Sequence, residues 1–143
     1  MGNADGRAQP AKPAPAGLVL IVDDDADFGK LLAIRLQNVG FATEVHESAL
    51  GLSARLLKEP AVDVVLLDCM MPALTGPAVL ALLGRNPRLM SIPVVLMSAL
   101  PDFREAVANH PRATFIEKGG HLQPLVSLVQ GLVKPSTPTT SPS

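Results

Sequence analysis

A single cysteine, Cys69, is the whole thiol inventory of this 143-residue chain, so no disulfide can form within it. Neither sign of charge dominates. With 12 Lys and Arg against 13 Asp and Glu, the chain lacks the basic footprint that nucleic acid or an anionic membrane selects. No apolar run approaches the roughly 18 residues that span a bilayer, and the N-terminus has no continuous apolar core of a secretory signal. These absences argue for a cytoplasmic protein with neither nucleic acid nor a membrane among its partners. What is present is a composition 48% hydrophobic, in a length that suits one domain with one well-buried core.

Composition divides the chain in three. Residues 1–16 carry Pro10, Pro13 and Pro15 among Ala, Gly and polar residues, and residues 134–143 are almost entirely Pro, Ser and Thr, so both ends predict disordered tails. Between them, residues 17–133 alternate short apolar runs with helical periodicity, the pattern of βα units on a parallel sheet. The expected strands are Leu18–Val22, Phe41–His46, Val62–Leu67, Ile92–Met97 and Ala113–Ile116. The second alternates apolar and polar residues, which suits a sheet edge, whereas the first is apolar throughout, which suits the middle. The first helix carries Phe28, Leu31, Leu32, Leu36 and Val39 on one stripe and ends at Gly40, a C-terminal cap. The second is expected over Ser48–Glu59, stopped by Pro60, and the third starts near Gly76 with Pro77 in its first turn. A short fourth helix, from a capping pair Asp102 and Glu105 to about Asn109, precedes a last one with Leu122, Leu125, Val126, Val129, Leu132 and Val133 on one stripe. Five such units with an edge-like second strand fit a doubly wound sheet of order 2-1-3-4-5, whose ligand crevice lies at the carboxyl ends of strands one and three.

Polar residues stand at the carboxyl ends of the strands: Asp23, Asp24 and Asp25 after strand one, Asp68 after strand three, Ser98 after strand four and Lys118 after strand five. Each has an ordinary explanation by itself. Asp23 to Asp27 suits a solvated helix start, Asp68 a turn, Ser98 a strand end and Lys118 a surface. Gathered at one sheet edge, however, the carboxylates repel one another and call for a raised pKa or a bound cation. A hard divalent ion fits, and Mg2+ especially, because it takes one or two carboxylates and leaves positions for a phosphate oxygen.

Val-Asp-Asp at 22–24, Asp-Cys-Met-Met-Pro at 68–72, Met-Ser-Ala at 97–99, and Phe115 three residues before Lys118 occur in that order. Asp68, Ser98 and Lys118 are spaced 30 and 20 residues apart. In these motifs the chain resembles the two-component response regulator receiver domain, and the likeness covers Leu18 to Val133. The resemblance implies a flavodoxin-like (βα)5 fold and a phosphoacceptor switch, with Asp68 as acceptor and Mg2+ held by Asp23, Asp24, Asp68 and the backbone carbonyl of Met70. It assigns Lys118 and Ser98 to the phosphoryl oxygens, and Ser98 with Phe115 to the readout on the face of helix four, strand five and helix five. The implied partners are a histidine kinase or histidine phosphotransfer protein and a downstream protein target. Asp25 stays outside the metal set, Cys69 is expected to point into apolar packing, and His46, His110 and His121 lack metal-ligand spacing and suit the surface.

Several departures and rivals matter. Members of the family usually carry proline after the lysine, whereas Lys118 precedes Gly119 and Gly120, which predicts a trans and more mobile loop. Positions two after the acceptor and two after the switch hydroxyl, Met70 and Leu100, are apolar and predict slow self-dephosphorylation. Nothing resembling an output domain follows Val133, so the leading expectation is a single-domain regulator. A receiver from a hybrid histidine kinase or phosphorelay, with the tails as linkers, is a close variant. A haloacid dehalogenase-type phosphatase would need an acid at position 70, and Met70 argues against it. A pseudo-receiver would not need an intact Asp23, Asp24, Asp68, Ser98 and Lys118.

Overall fold

Strand residues of this chain alternate between two apolar clusters, as the two-residue period of a sheet buried on both faces requires. The computed structural model describes residues 14–71, 74–108 and 110–133. Its elements are β1 (Leu18–Val22), α1 (Ala26–Asn38), β2 (Ala42–His46), α2 (Leu52–Leu56), β3 (Val64–Asp68), α3 (Gly76–Leu83), β4 (Val94–Ser98), a 3-10 helix (Pro101–Val107), β5 (Ala113–Glu117) and α4 (Gln123–Leu132). All five strands are parallel, in the expected order β2-β1-β3-β4-β5. Val19, Ile21, Val64, Leu66, Val95 and Met97 face α1 and α4, where Leu32, Leu36, Val126 and Val129 meet them. Leu20, Val22, Val65, Leu67 and Leu96 face α2, α3 and the 3-10 helix, where Leu52, Leu56, Val79 and Leu83 meet them. Fully burying one such side chain stabilises by about 1.5–3 kcal/mol, so the two layers hold the sheet from both sides.

The ends of α1 are set by local chemistry. Asp25 caps its start, its carboxylate accepting from the Phe28 N–H at 3.1 Å. At the other end Gly40 takes φ +100°, its N–H donates to Gln37 O and that of Phe41 to Leu36 O, which closes the helix and delays β2 to Ala42. Asp63 similarly delays β3, since its carboxylate and N–H both bond Leu18 before the ladder begins.

Two helices differ from expectation. The second spans Leu52–Leu56 alone, because Gly51 at its N-cap has φ +78° and a left-handed residue cannot extend a right-handed helix. The Ser48 hydroxyl instead accepts from Leu50 N–H in a local turn. The short helix is tied down by Leu52 and Leu56 below and by Arg55, which bonds both carboxylate oxygens of Glu44 at 2.7 and 3.0 Å. The expected fourth helix is a 3-10 helix whose N-cap is Leu100, because Pro101 fills the first helical position one residue ahead of Asp102. The expected end of that helix at Asn109, Pro72 of the acceptor turn, and the tails at 1–13 and 134–143 lie outside the described residues. The one cis peptide among the described residues is Glu59–Pro60, so Lys118–Gly119 is trans as expected.

Candidate functional site

Register places the chemistry. Val22 pairs with Leu67 and Asp68 with Met97, so Asp23 and Asp68 emerge side by side from the two central strands. The N–H of Asp23 donates to His46 O at 3.0 Å, and its Oδ1 accepts from Asp25 N–H at 2.9 Å, which holds the carboxylate at the mouth of α1. Lys118 follows β5, and its N–H donates to Ser98 O at 2.7 Å. From there its side chain crosses the sheet edge to the two acids.

The ammonium of Lys118 lies 2.7 Å from Asp23 Oδ2 and 2.9 Å from Asp68 Oδ1. Asp23 is wholly buried, Asp68 nearly so and Asp24 exposed, with one oxygen of each within 4.8 Å of the others. Three carboxylates against one ammonium leave excess negative charge in a partly desolvated crevice. Burial pushes the Asp68 carboxyl up, the charges of Asp23 and Asp24 push it further, and the Lys118 hydrogen bond opposes them. Burial would lower Lys118, but its bonds to Asp23 and Asp68 outweigh that and leave it raised, so it stays charged. An all-oxygen donor set this close suits a hard divalent cation such as Mg2+.

Ser98 is buried, and its hydroxyl accepts from Leu100 N–H at 3.0 Å. Among the described residues no hydrogen bond joins that hydroxyl to Asp68 or Lys118. Phe115 pairs with Leu96, two residues before Ser98, and lies on the same face of the sheet, against the α2 and α3 cluster, with Arg104 over its ring. Met70 sits just past β3 with its side chain 54% exposed. Cys69 is buried among apolar neighbours as expected, and its thiol is pushed up to about 11 by burial first and the Asp68 charge second, so it stays protonated.

Several contributors escape sequence reasoning. Phe28, expected as one member of a helical stripe, places its ring under the Lys118 ammonium at 4.4 Å. Gly76 packs so closely behind the acceptor that a Cβ there would sit 2.8 Å from Cys69 Cα and 3.0 Å from Asp68 O. Neither contact leaves a motif: Phe28 and Lys118 are far apart in sequence, and the closeness of Gly76 to the acceptor depends on how the turn folds back. His110 corrects a surface assignment: it is buried, its Nδ1 accepts from Arg112 N–H at 3.1 Å, and its Nε2 has no partner among the described residues. Burial pushes its pKa down and keeps the ring neutral.

A doubly wound parallel sheet with an acidic, lysine-braced crevice at its topological switch point defines an α/β domain of the flavodoxin-like class. The chain belongs to the response regulator receiver domain family, which matches residues 19–130. It is 26% identical over 121 residues to the DNA-binding dual master transcriptional regulator RpaA of Synechocystis, covering 81% of this chain and 48% of that protein. It is 34% identical over 90 residues to the DNA-binding response regulator MtrA of Mycobacterium tuberculosis, covering 62% of this chain and 37% of the relative. The chain thus spans less than half the length of the curated relatives it matches. Among solved structures, the signal receiver domain of a histidine kinase from Syntrophus aciditrophicus superposes with a TM-score of 0.72 at 28% identity, covering 89% of this chain and 97% of that one. A response regulator from Chloroflexus aurantiacus shares the fold, with a TM-score of 0.74 at 20% identity over 83% of this chain and 98% of that one. No described helix is long and apolar enough to cross a membrane.

Proposed function

We propose that Asp68 accepts a phosphoryl group from a histidine kinase or histidine phosphotransfer protein and that the resulting charge change is passed to a downstream protein. The observation that carries this is the Lys118 ammonium bridging Asp23 and Asp68, which presents a nucleophilic carboxylate beside a fixed positive charge. An Asp68 carboxylate oxygen attacks phosphorus, an O–P bond forms, and the donor's N–P or O–P bond breaks with its electron pair leaving on the donor. Asp23, Asp24, Asp68 and the Met70 carbonyl would hold Mg2+, which when bound offsets the charge on the phosphoryl oxygens. Once Asp68 carries the phosphoryl group as an acyl phosphate, Lys118 is free to pair with a phosphoryl oxygen. The Ser98 hydroxyl, which uses an oxygen lone pair on Leu100 N–H, keeps its proton for another. Movement of Ser98 and Phe115 toward that group would alter the face formed by the 3-10 helix, β5 and α4.

The test is intact-mass measurement after exposure to magnesium and a small acyl-phosphate donor. Wild type gains one phosphoryl group and Asp68→Asn gains none; an equal gain in the variant moves the acceptor elsewhere. Removing a charged oxygen ligand in Asp24→Ala weakens magnesium binding at least tenfold, which corresponds to about 1.4 kcal/mol. Unchanged affinity by titration would remove Asp24 from the metal set.

A further inference from the structure

Among the described residues, every polar partner of the Lys118 ammonium is a carboxylate whose state changes when the site works. Asp68 becomes an acyl phosphate and Asp23 is drawn to a cation, so the two bonds at 2.9 and 2.7 Å are weakened just when the ammonium must be in place. The preceding strand fixes its backbone, with the Lys118 N–H on Ser98 O at 2.7 Å, but the chain that follows gives little support. Gly119 and Gly120 follow, both exposed, and a Cβ at either would touch nothing within 4 Å. One contact is indifferent to those changes: the ring of Phe28, whose centroid lies 4.4 Å from Nζ. A cation over an aromatic face is held by the ring quadrupole, and the attraction grows in a partly desolvated setting. Lys118 has such a setting, with its side chain 19% exposed.

We infer that Phe28 is a positioning residue, which holds the Lys118 ammonium in the acidic crevice while its anionic partners are exchanged. Phe28 is itself well placed to do so. Its N–H bonds the capping carboxylate of Asp25, in the same loop that carries Asp23 and Asp24, and its ring leans on the α1 and α4 cluster. Metal loop, helix start and lysine are thereby joined through one side chain. The inference rests on the phosphoacceptor reading above, and its test separates the two.

In the unphosphorylated protein, the Phe28 ring current shifts the Lys118 Hε and Nζ resonances, and Phe28→Leu removes that shift. A series of fluorinated phenylalanines at position 28 weakens the quadrupole at nearly constant volume. Uptake of phosphoryl groups from an acyl-phosphate donor then falls stepwise, to about fivefold slower at pentafluorophenylalanine, while Phe28→Trp keeps the wild-type rate. A ring that merely fills space would leave that series flat. Lys118 resonances unmoved by Phe28→Leu, or a flat series in a protein that does take up the phosphoryl group, would overturn the inference. Absence of uptake in wild type counts against the phosphoacceptor reading instead, and the resonance shift still decides the contact. Should Phe28→Leu fail to fold, the resonances are compared across the fluorinated variants, which preserve the packing.

Discussion

Arg104 covers Phe115, its guanidinium carbon 4.9 Å from the ring centroid. The two come from adjoining elements, the 3-10 helix and β5, and Phe115 pairs in register with Leu96 of β4. The ring is therefore gripped between an apolar cluster and an exposed cation. Any inward turn of Phe115 must first slide it from beneath the guanidinium.

That grip is measurable. Arg104→Ala is expected to shift the Phe115 ring-proton resonances and to lower stability by about 0.5–1 kcal/mol, the range for a cation over an aromatic face near the surface. Ring resonances identical to wild type would show that Arg104 merely passes by.

Glu44 and Arg55 predict an acid-sensitive edge. The Arg55 hydrogen bonds hold the Glu44 carboxyl down to about 2 from its usual 4.5, with burial opposing and His46 assisting. A depressed folded pKa favours the ionised form, so the stabilisation is complete above about pH 4.5 and is lost as pH falls toward 2. Because a third of the Glu44 side chain is exposed, solvent screening limits the effect to about 0.5–1 kcal/mol. Denaturant unfolding of wild type and Glu44→Gln should differ at pH 7 and converge near pH 2; parallel curves throughout would mean that the pair adds nothing.

Gly76→Ala tests the packing behind the acceptor. The added methyl would meet backbone at Cys69 and Asp68, which cannot move aside as a side-chain tip could. The expected loss is about 1–3 kcal/mol, with slower phosphoryl uptake at Asp68. An unchanged urea midpoint would show that α3 shifts freely.

How much of this was legible in the sequence depends on how local the signal is. The parallel sheet and its order were, because buried strands and helical stripes are written in short apolar periods. Asp23, Asp24, Asp68 and Lys118 were recoverable as a group because topology sends strand ends to one edge. The length of α2 was not, since its apolar spacing continues across Gly51 and the positive φ there appears only in three dimensions. His110 was missed for a related reason. A lone histidine near Pro111 carries no period, and its burial depends on how the 3-10 helix folds back. Arg104 over Phe115 and Phe28 under Lys118 are pairings across elements, for which no spacing rule exists.

The lifetime of the phosphorylated state brings these points to a kinetic prediction. Hydrolysis of an aspartyl phosphate needs water in line with phosphorus, and polar side chains nearby would orient it. By the likeness to the receiver family such groups would come from positions 70 and 100, where this chain has Met70 and Leu100, both about half exposed at 54% and 45%. Neither side chain offers a strong donor or acceptor for water. The Lys118 ammonium is held by Asp23 and Asp68, and the Leu100 N–H by Ser98, so neither is free to orient that water. We expect slow self-dephosphorylation, with Met70→Asn and Leu100→Gln each accelerating it by supplying a group that can hold the water. The measurement is decay of the purified phosphoprotein after donor removal, in wild type and both variants. Fast wild-type decay that neither polar substitution increases would place control of the water elsewhere in the crevice.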